Sequence, residues 1–371
     1  MATLSRLAAY GTLGLAVLLG SRLRAQNPPP LAEAQPEGHL HTLHVYMDLI
    51  QVPVLVLDSE QGRMKPVDPA RFLVSLDSGP SFHPRHVRQE GDDPITLGIL
   101  LDPQGTPELM PRISAAISAL APGLLQLRDH VTVFAFDCRL FRTLDDVPAD
   151  PDKLKAGIDK AIAPWLDARR SRRQPPCPKS VQLWDAMAYV VSQLGGLPGR
   201  RVLLAVTDGN DKGSKNKWND LRIFAQEKGV AIFGYTPDGG LSEKRVGQLT
   251  STLRPSPAQL NAPENPFSLI CQLSGGMVMF ANPRHLGWEL SRFVTTVRER
   301  YILEFSRARD ETPGGHSILV TINKSPNAYV RPAGVLIVLP DAAVANDPDT
   351  IPRDRTDAPE FGTRKPLRNP P

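Results

Sequence analysis

The central part of the chain alternates between buried β-strands and amphipathic helices, and this alternation limits the possible folds most strongly. Residues Ile95–Leu101 form a near-continuous apolar run, as expected of a strand buried on both faces. Between residues 109 and 124, leucine and isoleucine then recur every three or four positions, which indicates a helix. The alternation continues to residue 300 and predicts an α/β fold with a doubly wound, mostly parallel sheet. Further strands are predicted at residues 131–136, 202–207, 230–235 and 277–280, and further helices at 152–162, 183–194, 221–228, 266–273 and 285–300.

The two segments that flank this region have the pattern of short β-strands. Residues 39–91 and 301–340 contain apolar runs rich in β-branched residues, separated by turn-forming residues. Neither segment can bury its apolar faces alone, whereas together they supply about six strands. We therefore predict that the α/β domain, residues 92–300, is inserted in a small β domain built from both flanking segments. The strands predicted in the flanks include Leu43–Met47, Val52–Leu57, Phe72–Leu76, Tyr301–Phe305, Ser317–Ile322 and Val335–Leu339.

The ends of the chain have a different composition. Residues 1–25 have a basic start, an apolar run at Leu7–Gly20 and a small-residue cleavage site, which predicts a secretory signal peptide. An uncleaved membrane anchor is the alternative, although a bilayer needs about 20 apolar residues. Residues 26–38 are predicted to be a proline-rich linker, and residues 341–371 a disordered tail. We expect an exported protein that is periplasmic, extracellular or associated with the cell envelope.

The charge balance of the chain argues against a nucleic-acid partner. The formal net charge is +4, but residues 1–25 carry three arginines and no acid, and without them 40 basic and 39 acidic residues remain. Nucleic-acid binding requires a basic surface that such a balanced chain lacks outside local patches. The hydrophobic share of 41% also excludes a largely disordered or coiled-coil protein.

Two of the predicted strands run directly into an aspartate. Asp102 follows the strand Ile95–Leu101, and Asp208 follows the strand at residues 202–207. In an open parallel sheet, ligands bind beyond the carboxyl ends of the strands. If the two strands are neighbours, both carboxylates face the same crevice.

Taken together, these segments resemble the von Willebrand factor type A domain, a Rossmann-like fold. They are most similar to secreted bacterial proteins described as von Willebrand factor A-related, over about residues 40–340. The order and spacing of the segments carry the resemblance. The similar segments are the strand ending in Asp102, Val131–Asp137, Leu183–Met187, Leu203–Gly209, Leu273–Gly276 and Arg300–Leu303.

The resemblance implies a metal-ion-dependent adhesion site at the carboxyl ends of the strands. In that family, an Asp-x-Ser-x-Ser motif, a threonine on a later loop and a second aspartate hold Mg²⁺ or Mn²⁺, for which oxygen ligands are suited. Asp102 and Asp208 stand at the two aspartate positions. Thr106 keeps a hydroxyl at the second serine position.

Two positions of the implied site depart from the family pattern. Gln104 replaces the first serine, and Val181, which has no oxygen to offer, stands at the threonine position. Ser180 could substitute for Val181 if the loop shifts by one residue. Loss of these ligands should weaken Mg²⁺ binding, because this ion requires near-ideal octahedral geometry. In the alternative interpretation, Asp102 and Asp208 only cap helix N-termini and accept hydrogen bonds from loop amides.

The chain has three cysteines, so at least one is unpaired in a monomer. Cys138 follows the predicted strand at residues 131–136, and Cys177 lies in the loop before Ser180. Because an exported protein can form disulfides, we predict that these two pair, with two free thiols as the alternative. Cys271 is predicted to be a buried free thiol on a helix.

The loop before Ser180 is also strongly basic. A cationic patch on the ligand-binding face would recognise an acidic partner, and Lys212, Lys215 and Lys217 would extend it. The alternative is a solvated, protease-sensitive loop. The patch consists of Arg169, Arg170, Arg172 and Arg173.

The sequence lacks the common enzyme signatures: it has no Gly-x-Ser-x-Gly elbow, no phosphate loop and no His-Glu-x-x-His motif. We therefore expect a secreted, non-catalytic binding or adhesion protein that engages a protein or cell-surface ligand at the strand-end face, with weak or absent metal dependence. The first alternative is an envelope assembly component that docks through its β domain. The second is a metal-assisted hydrolase that uses Asp102 and Asp208.

Overall fold

The structure is a computed structural model with secondary structure throughout most of the chain. It describes residues 44–45, 49–58, 66–171, 181–237, 261, 263–307, 314–325, 328–337, 350–351 and 359–362. The predicted signal peptide and linker lie outside the described residues. No helix in the described ranges is long and apolar enough to cross a membrane.

The strands are numbered in chain order, and a 3-10 helix at Pro69–Arg71 precedes the third. The strands are β1 (His44–Val45), β2 (Leu49–Leu57), β3 (Phe72–Leu76), β4 (His86–Gln89), β5 (Ile95–Leu101), β6 (His130–Phe136), β7 (Leu140–Pro148), β8 (Arg200–Val206), β9 (Ala231–Pro237), β10 (Val278–Ala281), β11 (Tyr301–Ser306), β12 (Gly314–His316), β13 (Ile318–Ile322), β14 (Tyr329–Pro332), β15 (Val335–Ile337) and β16 (Thr350–Ile351). The helices are α1 (Met110–Ser118), α2 (Pro151–Ser171), α3 (Leu183–Gly195), α4 (Trp218–Glu227), α5 (Pro266–Leu273) and α6 (Leu286–Arg298).

Six strands form the central sheet, in the order β10-β9-β8-β5-β6-β7. All neighbouring pairs are parallel except β6 and β7, which are antiparallel at the edge. Every residue of β5 is buried, in agreement with its continuous apolar sequence. The predicted α/β fold with a mostly parallel sheet is confirmed.

Helices cover both faces of this sheet, and each face has its own apolar core. On one face, Ile113 of α1, Ile158 of α2 and Phe293 of α6 pack in one buried cluster. On the other face, Met187 of α3 and Ile270 of α5 belong to a second cluster, which also contains α4 residues. The sheet is therefore doubly wound, as predicted.

The strands of the two flanking segments pair with each other. β2 pairs with β11 and with β14, and β11 pairs on its other side with β4, which gives a four-stranded antiparallel sheet. β3 pairs with β13 in the same way. Each of these sheets combines strands from before and after the α/β domain. Strands of the two flanking segments thus pair with each other, which is what the predicted insertion of the α/β domain requires.

A buried ion pair joins the two chain crossings between the domains. Glu90 follows β4, and Arg300 precedes β11; Nε and Nη2 of Arg300 donate to the two carboxylate oxygens of Glu90 at 2.8 and 2.9 Å. The exposed fraction of each side chain is at most 1%. Nearby, Nη2 of Arg298 donates to Oδ2 of buried Asp129 at 2.5 Å. The Glu90–Arg300 pair thus joins the entry and exit of the inserted domain, whereas the Arg298–Asp129 pair lies within it.

Helix α2 is longer than predicted. It runs from Pro151 to Ser171 and includes Pro164, before which the sequence pattern predicted its end. A proline usually stops a helix because it has no N–H to donate. Here Trp165 and Leu166 pack against the core beyond the proline, so the helix continues. Arg169 and Arg170 therefore belong to the last turn of α2 and not to a loop.

The prediction of a disordered tail is wrong for two short stretches. Residues 350–351 form β16, which pairs in parallel with β1. Phe361 stacks on His316, with ring centroids 4.4 Å apart, and the amide of Gly362 donates to the carbonyl of Leu76 at 3.1 Å. Through these contacts, the two stretches of the tail are attached to β1, β3 and β12 of the β domain.

Candidate functional site

Asp102 and Asp208 come together at the carboxyl ends of two neighbouring strands. β5 and β8 are parallel partners, with Leu101 opposite Val206, so the residues after them emerge at the same edge of the sheet. Both aspartates line a cleft of about 250 Å³ at this edge. The remaining lining residues are Gln104, Gly105, Phe136, Asp137, Val181, Gln182, Leu183, Asn210 and Lys212. The sequence-based prediction that the two carboxylates face one crevice is correct.

Asp102 is buried and tightly held. Its Oδ1 accepts a hydrogen bond from the amide of Gly105 at 2.9 Å, and its Oδ2 accepts one from the hydroxyl of Thr207 at 2.8 Å. Burial raises the pKa of Asp102, and the nearby charge of Asp208 raises it further, although the hydrogen bonds partly offset both effects. The carboxyl group is therefore held in place with a weakened tendency to ionise.

Asp208 is half-buried and is held by a single neighbour. The amide of Asn210 donates to its Oδ1 at 2.9 Å, and the side-chain Nδ2 of Asn210 donates to its Oδ2 at 3.0 Å. The sequence Asp-Gly-Asn therefore forms a turn that closes on the carboxylate itself. This arrangement matches the alternative in which the aspartate accepts hydrogen bonds from loop amides.

Gln104 and Thr106 occupy the positions of the two family serines, but their side chains are directed to other partners. Nε2 of Gln104 donates to Oδ1 of Asp137 at 2.9 Å. The hydroxyl of fully buried Thr106 donates to the backbone carbonyl of Asp102 at 2.7 Å. Both interactions organise the loop after β5.

The donor set does not fit a divalent ion well. Val181 lines the cleft at the position where the family has threonine, and it carries no oxygen on its side chain. Ser180, its possible substitute, lies outside the described residues. Across the described ranges, no group of three or more histidine, cysteine or acidic side chains is placed to hold a metal ion. The family's metal, Mg²⁺ or Mn²⁺, is therefore poorly matched by the residues present.

Two further aspartates hold the loop that forms one side of the cleft. Asp185, in the first turn of α3, accepts hydrogen bonds from the amides of Lys215 and Asn216 at 3.1 and 3.0 Å. Burial opposes the ionisation of Asp185, but these hydrogen bonds outweigh it, and its pKa is lowered. In return, Asp211 accepts a hydrogen bond from the amide of Trp184 at 3.3 Å. Sequence reasoning missed these roles; the acidic residues of Asp208-Gly-Asn-Asp211 were the available signal.

Several basic side chains surround the cleft or lie near its end of the sheet. Lys212 lines the cleft and is exposed, as are Lys215 and Lys217 on the same loop. Arg169 is exposed at the end of α2, where its guanidinium lies 5.2 Å from the centroid of the Trp165 ring. Arg170 is exposed as well, and its Nη1 lies 3.8 Å from Asp167. Arg172 and Arg173 lie outside the described residues.

The structure describes two of the three cysteines, Cys138 and Cys271. Cys271 is a free, fully buried thiol on α5, as predicted, and burial raises its pKa strongly. Cys138 follows β6 at the same end of the sheet as Asp102. Cys177 lies outside the described residues, so the Cys138–Cys177 disulfide stays a prediction.

The strand order and the helix layers define the class of the protein. A parallel six-stranded sheet with one antiparallel edge strand, helices on both faces and two aspartates at the carboxyl ends of the adjacent strands β5 and β8 is the architecture of von Willebrand factor type A domains. The chain therefore has a type A-like fold. No family model and no curated protein matches the sequence.

Solved structures with this general architecture are similar to the chain only at a distance. A von Willebrand factor type A protein from Catenulispora acidiphila is 11% identical, with a TM-score of 0.37, over 80% of this chain and 64% of that one. The manganese-loaded TRAP protein of Plasmodium vivax is 13% identical, with a TM-score of 0.33, over 67% and 95%. Proximal thread matrix protein 1 from the mussel byssus is 11% identical, with a TM-score of 0.36, over 57% of this chain and 48% of its own length. The fold assignment therefore rests on the strand order of the chain itself.

Proposed function

We propose that this is a binding protein whose type A-like domain engages a protein ligand at the carboxyl ends of its strands. The observation that carries the proposal is the cleft between β5 and β8, because crevices at this edge are where open α/β sheets bind ligands. The loop on one side of the cleft is fixed by Asp185 and Asp211, so the binding face is organised before a ligand arrives.

The rim of this face favours a partner with acidic groups. Lys212, Lys215 and Lys217 project from one short loop beside the cleft, and all three are exposed. Exposed lysines attract an acidic surface and increase its rate of association. The lysines are the most exposed charges at this face, because Asp102 is buried and Asp137 and Asp208 are half-buried and accept hydrogen bonds from the protein.

A non-catalytic role is part of the proposal. Among the described residues that line the cleft there is no histidine, cysteine or serine, so neither a Ser–His nor a Cys–His pair is formed there. Asp102 is held by Gly105 and Thr207. These features support binding over hydrolysis at this cleft.

We also propose that the protein is exported and meets its partner in the periplasm, outside the cell or at the envelope. The support is the sequence of residues 1–25, with its basic start and apolar run. Fractionation of producing cells, followed by mass spectrometry of the N-terminus, tests this proposal. A mature chain that begins near Gln26 in the exported fraction agrees with it, and a full-length cytoplasmic chain contradicts it.

Affinity capture with charge-reversed variants tests the proposed binding face. Lys212→Glu places an acid at the cleft, whereas the matched control Lys153→Glu reverses an equally exposed lysine in the first turn of α2. We expect a protein captured from the envelope fraction by the wild type to be lost with Lys212→Glu and retained with Lys153→Glu. Equal retention by both variants would contradict a role for the strand-end rim.

Docking through the β domain is the competing function, and one surface of that domain supports it. Pro69, His83, Pro84, Arg85 and Val87 border an open groove of about 380 Å³. Arg85→Glu changes the charge of this groove without touching the α/β domain. Loss of the same captured protein with Arg85→Glu alone would favour the assembly role.

A further inference from the structure

The two aspartates at the strand ends already have hydrogen-bond donors from the protein. Gly105 and Thr207 each donate to one oxygen of Asp102, at 2.9 and 2.8 Å. Asn210 donates to both oxygens of Asp208, at 2.9 and 3.0 Å. A carboxylate in a protein interior needs either a cation or a set of donors to offset the loss of water. Here the donors come from the chain.

The residues that would complete an ion's coordination shell are unsuited or engaged. Gln104 stands where a short hydroxyl side chain would reach the ion, and its amide is hydrogen-bonded to Asp137. Val181 presents a hydrocarbon surface to the cleft at the second position. Mg²⁺ and Mn²⁺ are held by oxygen ligands, and Mg²⁺ tolerates little departure from an octahedron. The hydroxyl oxygens expected at both positions are thus replaced, one by a longer amide side chain and one by a hydrocarbon side chain.

The geometry points to a strand-end site that works without a divalent cation. Gln104 and Val181 stand at two positions where the type A site has metal ligands, and donors from the chain form hydrogen bonds to both carboxylates. This inference rests on the proposed function for its view that the face binds a partner. It adds that the partner is recognised by direct contacts, so that chelators and added Mg²⁺ leave binding unchanged. The type A-like scaffold is kept, and the ion is not part of the recognition chemistry.

Manganese binding tests the inference without any partner protein. Purified full-length chain, in the wild-type form, is titrated with MnCl₂, and free Mn²⁺ is followed by electron paramagnetic resonance. The wild type should leave the free Mn²⁺ signal equal to that of buffer. The double variant Gln104→Ser/Val181→Thr restores both hydroxyl ligands and should remove about one equivalent of Mn²⁺ from solution, as expected for one complete oxygen site.

The substitution Asp208→Ala serves as a control in two backgrounds, the double variant and the wild type. In the double variant it should abolish the gained Mn²⁺ binding, which would locate the bound ion at the strand ends. Circular dichroism confirms that each variant is folded. One equivalent bound by the wild type and lost in Asp208→Ala would overturn the inference. A folded double variant that still fails to bind Mn²⁺ would overturn the assignment of the loss to Gln104 and Val181.

This outcome is separate from the test of the binding face. If Lys212→Glu leaves partner capture unchanged but the wild type binds no Mn²⁺, the proposed face is wrong and the inference about the ion stands. If Lys212→Glu abolishes capture and the wild type binds Mn²⁺, the face is right and the inference about the ion is wrong.

Discussion

Asp102 and Asp208 meet above Gly105, so closely that this position has no room for a side chain. A Cβ atom built on Gly105 would lie 3.0 Å from Oδ1 of Asp208 and closer still to Oδ2 of Asp102. The glycine is required because two carboxylates from distant parts of the sequence converge on its backbone. Its amide donates to one of them.

Gly105→Ala should therefore destabilise the strand-end site. Overpacking of this kind typically costs about 1–3 kcal/mol. Urea unfolding of wild type and variant measures the difference. Gly123→Ala is the matched control, because Gly123 has no neighbouring atom within 4 Å of its ideal Cβ position. Equal stability of the two variants would show that the aspartates are farther apart than described.

The stability of the protein should depend on the protonation of Asp102. Burial raises the pKa of this group above its ordinary value of 3.8, so the folded state binds the proton more tightly than the unfolded state. Its contribution to stability is therefore fully present below pH 3.8 and is lost as pH rises through the raised pKa. The variant Asp102→Asn has no carboxyl group at this position, so it should not lose stability in this pH range.

A pH series of urea unfolding tests this prediction. The free energy of unfolding of Asp102→Asn minus that of the wild type should increase as pH rises from 3.8 through the raised pKa, because only the wild type loses stability there, and it should then level off. A difference that is constant with pH, or that changes in the opposite direction, would mean that Asp102 is not desolvated in the folded protein.

The buried ion pair Glu90–Arg300 should contribute strongly to the stability of the protein, because it joins the two chain crossings between the domains. Removing one partner leaves a buried charge without compensation, which costs about 3–5 kcal/mol. We expect this loss for Glu90→Gln, measured by chemical denaturation. The double variant Glu90→Leu/Arg300→Met should recover much of it, because no unpaired charge remains.

An exposed ion pair provides the comparison for that experiment. Lys155 and Asp159 lie one helical turn apart on α2, with Nζ 2.6 Å from Oδ2, and both side chains are about half exposed. Lys155→Ala should cost only about 0.3–0.5 kcal/mol. If Glu90→Gln costs no more than Lys155→Ala, the Glu90–Arg300 pair is accessible to water.

The thiols should differ in reactivity. If Cys138 and Cys177 form the predicted disulfide, Cys271 is the one thiol left for alkylation, and its complete burial protects it in the folded protein. Iodoacetamide should add nothing to the native protein and one group after denaturation without reductant, as measured by intact mass. Three groups after denaturation would disprove the disulfide.

The sheet could be predicted from the sequence because its strands are continuous apolar runs. β5 and β8 stand out for this reason, and β3 was predicted with the bounds that the structure shows. β4 escaped prediction because His86–Gln89 are exposed or half-buried and have no apolar alternation. β14 was not predicted either; it contains the buried Arg331, whose Nη1 donates to the carbonyl of Gly276, a residue distant in sequence.

Of the candidate site, only the residues that directly follow a strand could be predicted from the sequence. Asp102 and Asp208 follow strands whose parallel direction could be inferred from the alternation of elements, whereas their pairing as neighbours is known only from the structure. The contact of Gln104 with Asp137, and that of Asp185 with residues 215–216, depend on the paths of loops. Loop paths are set by many weak tertiary contacts, and no periodic pattern in the sequence reports them.

Site-specific photo-crosslinking tests the central claim, recognition at the strand ends, most directly. A photoreactive amino acid replaces Asn210 at the cleft, Arg85 in the β-domain groove or Lys153 at the start of α2, each in the full chain produced in its own cells. The account predicts a discrete protein adduct from position 210 and none from positions 85 and 153. An adduct from position 85, with none from position 210, would contradict it.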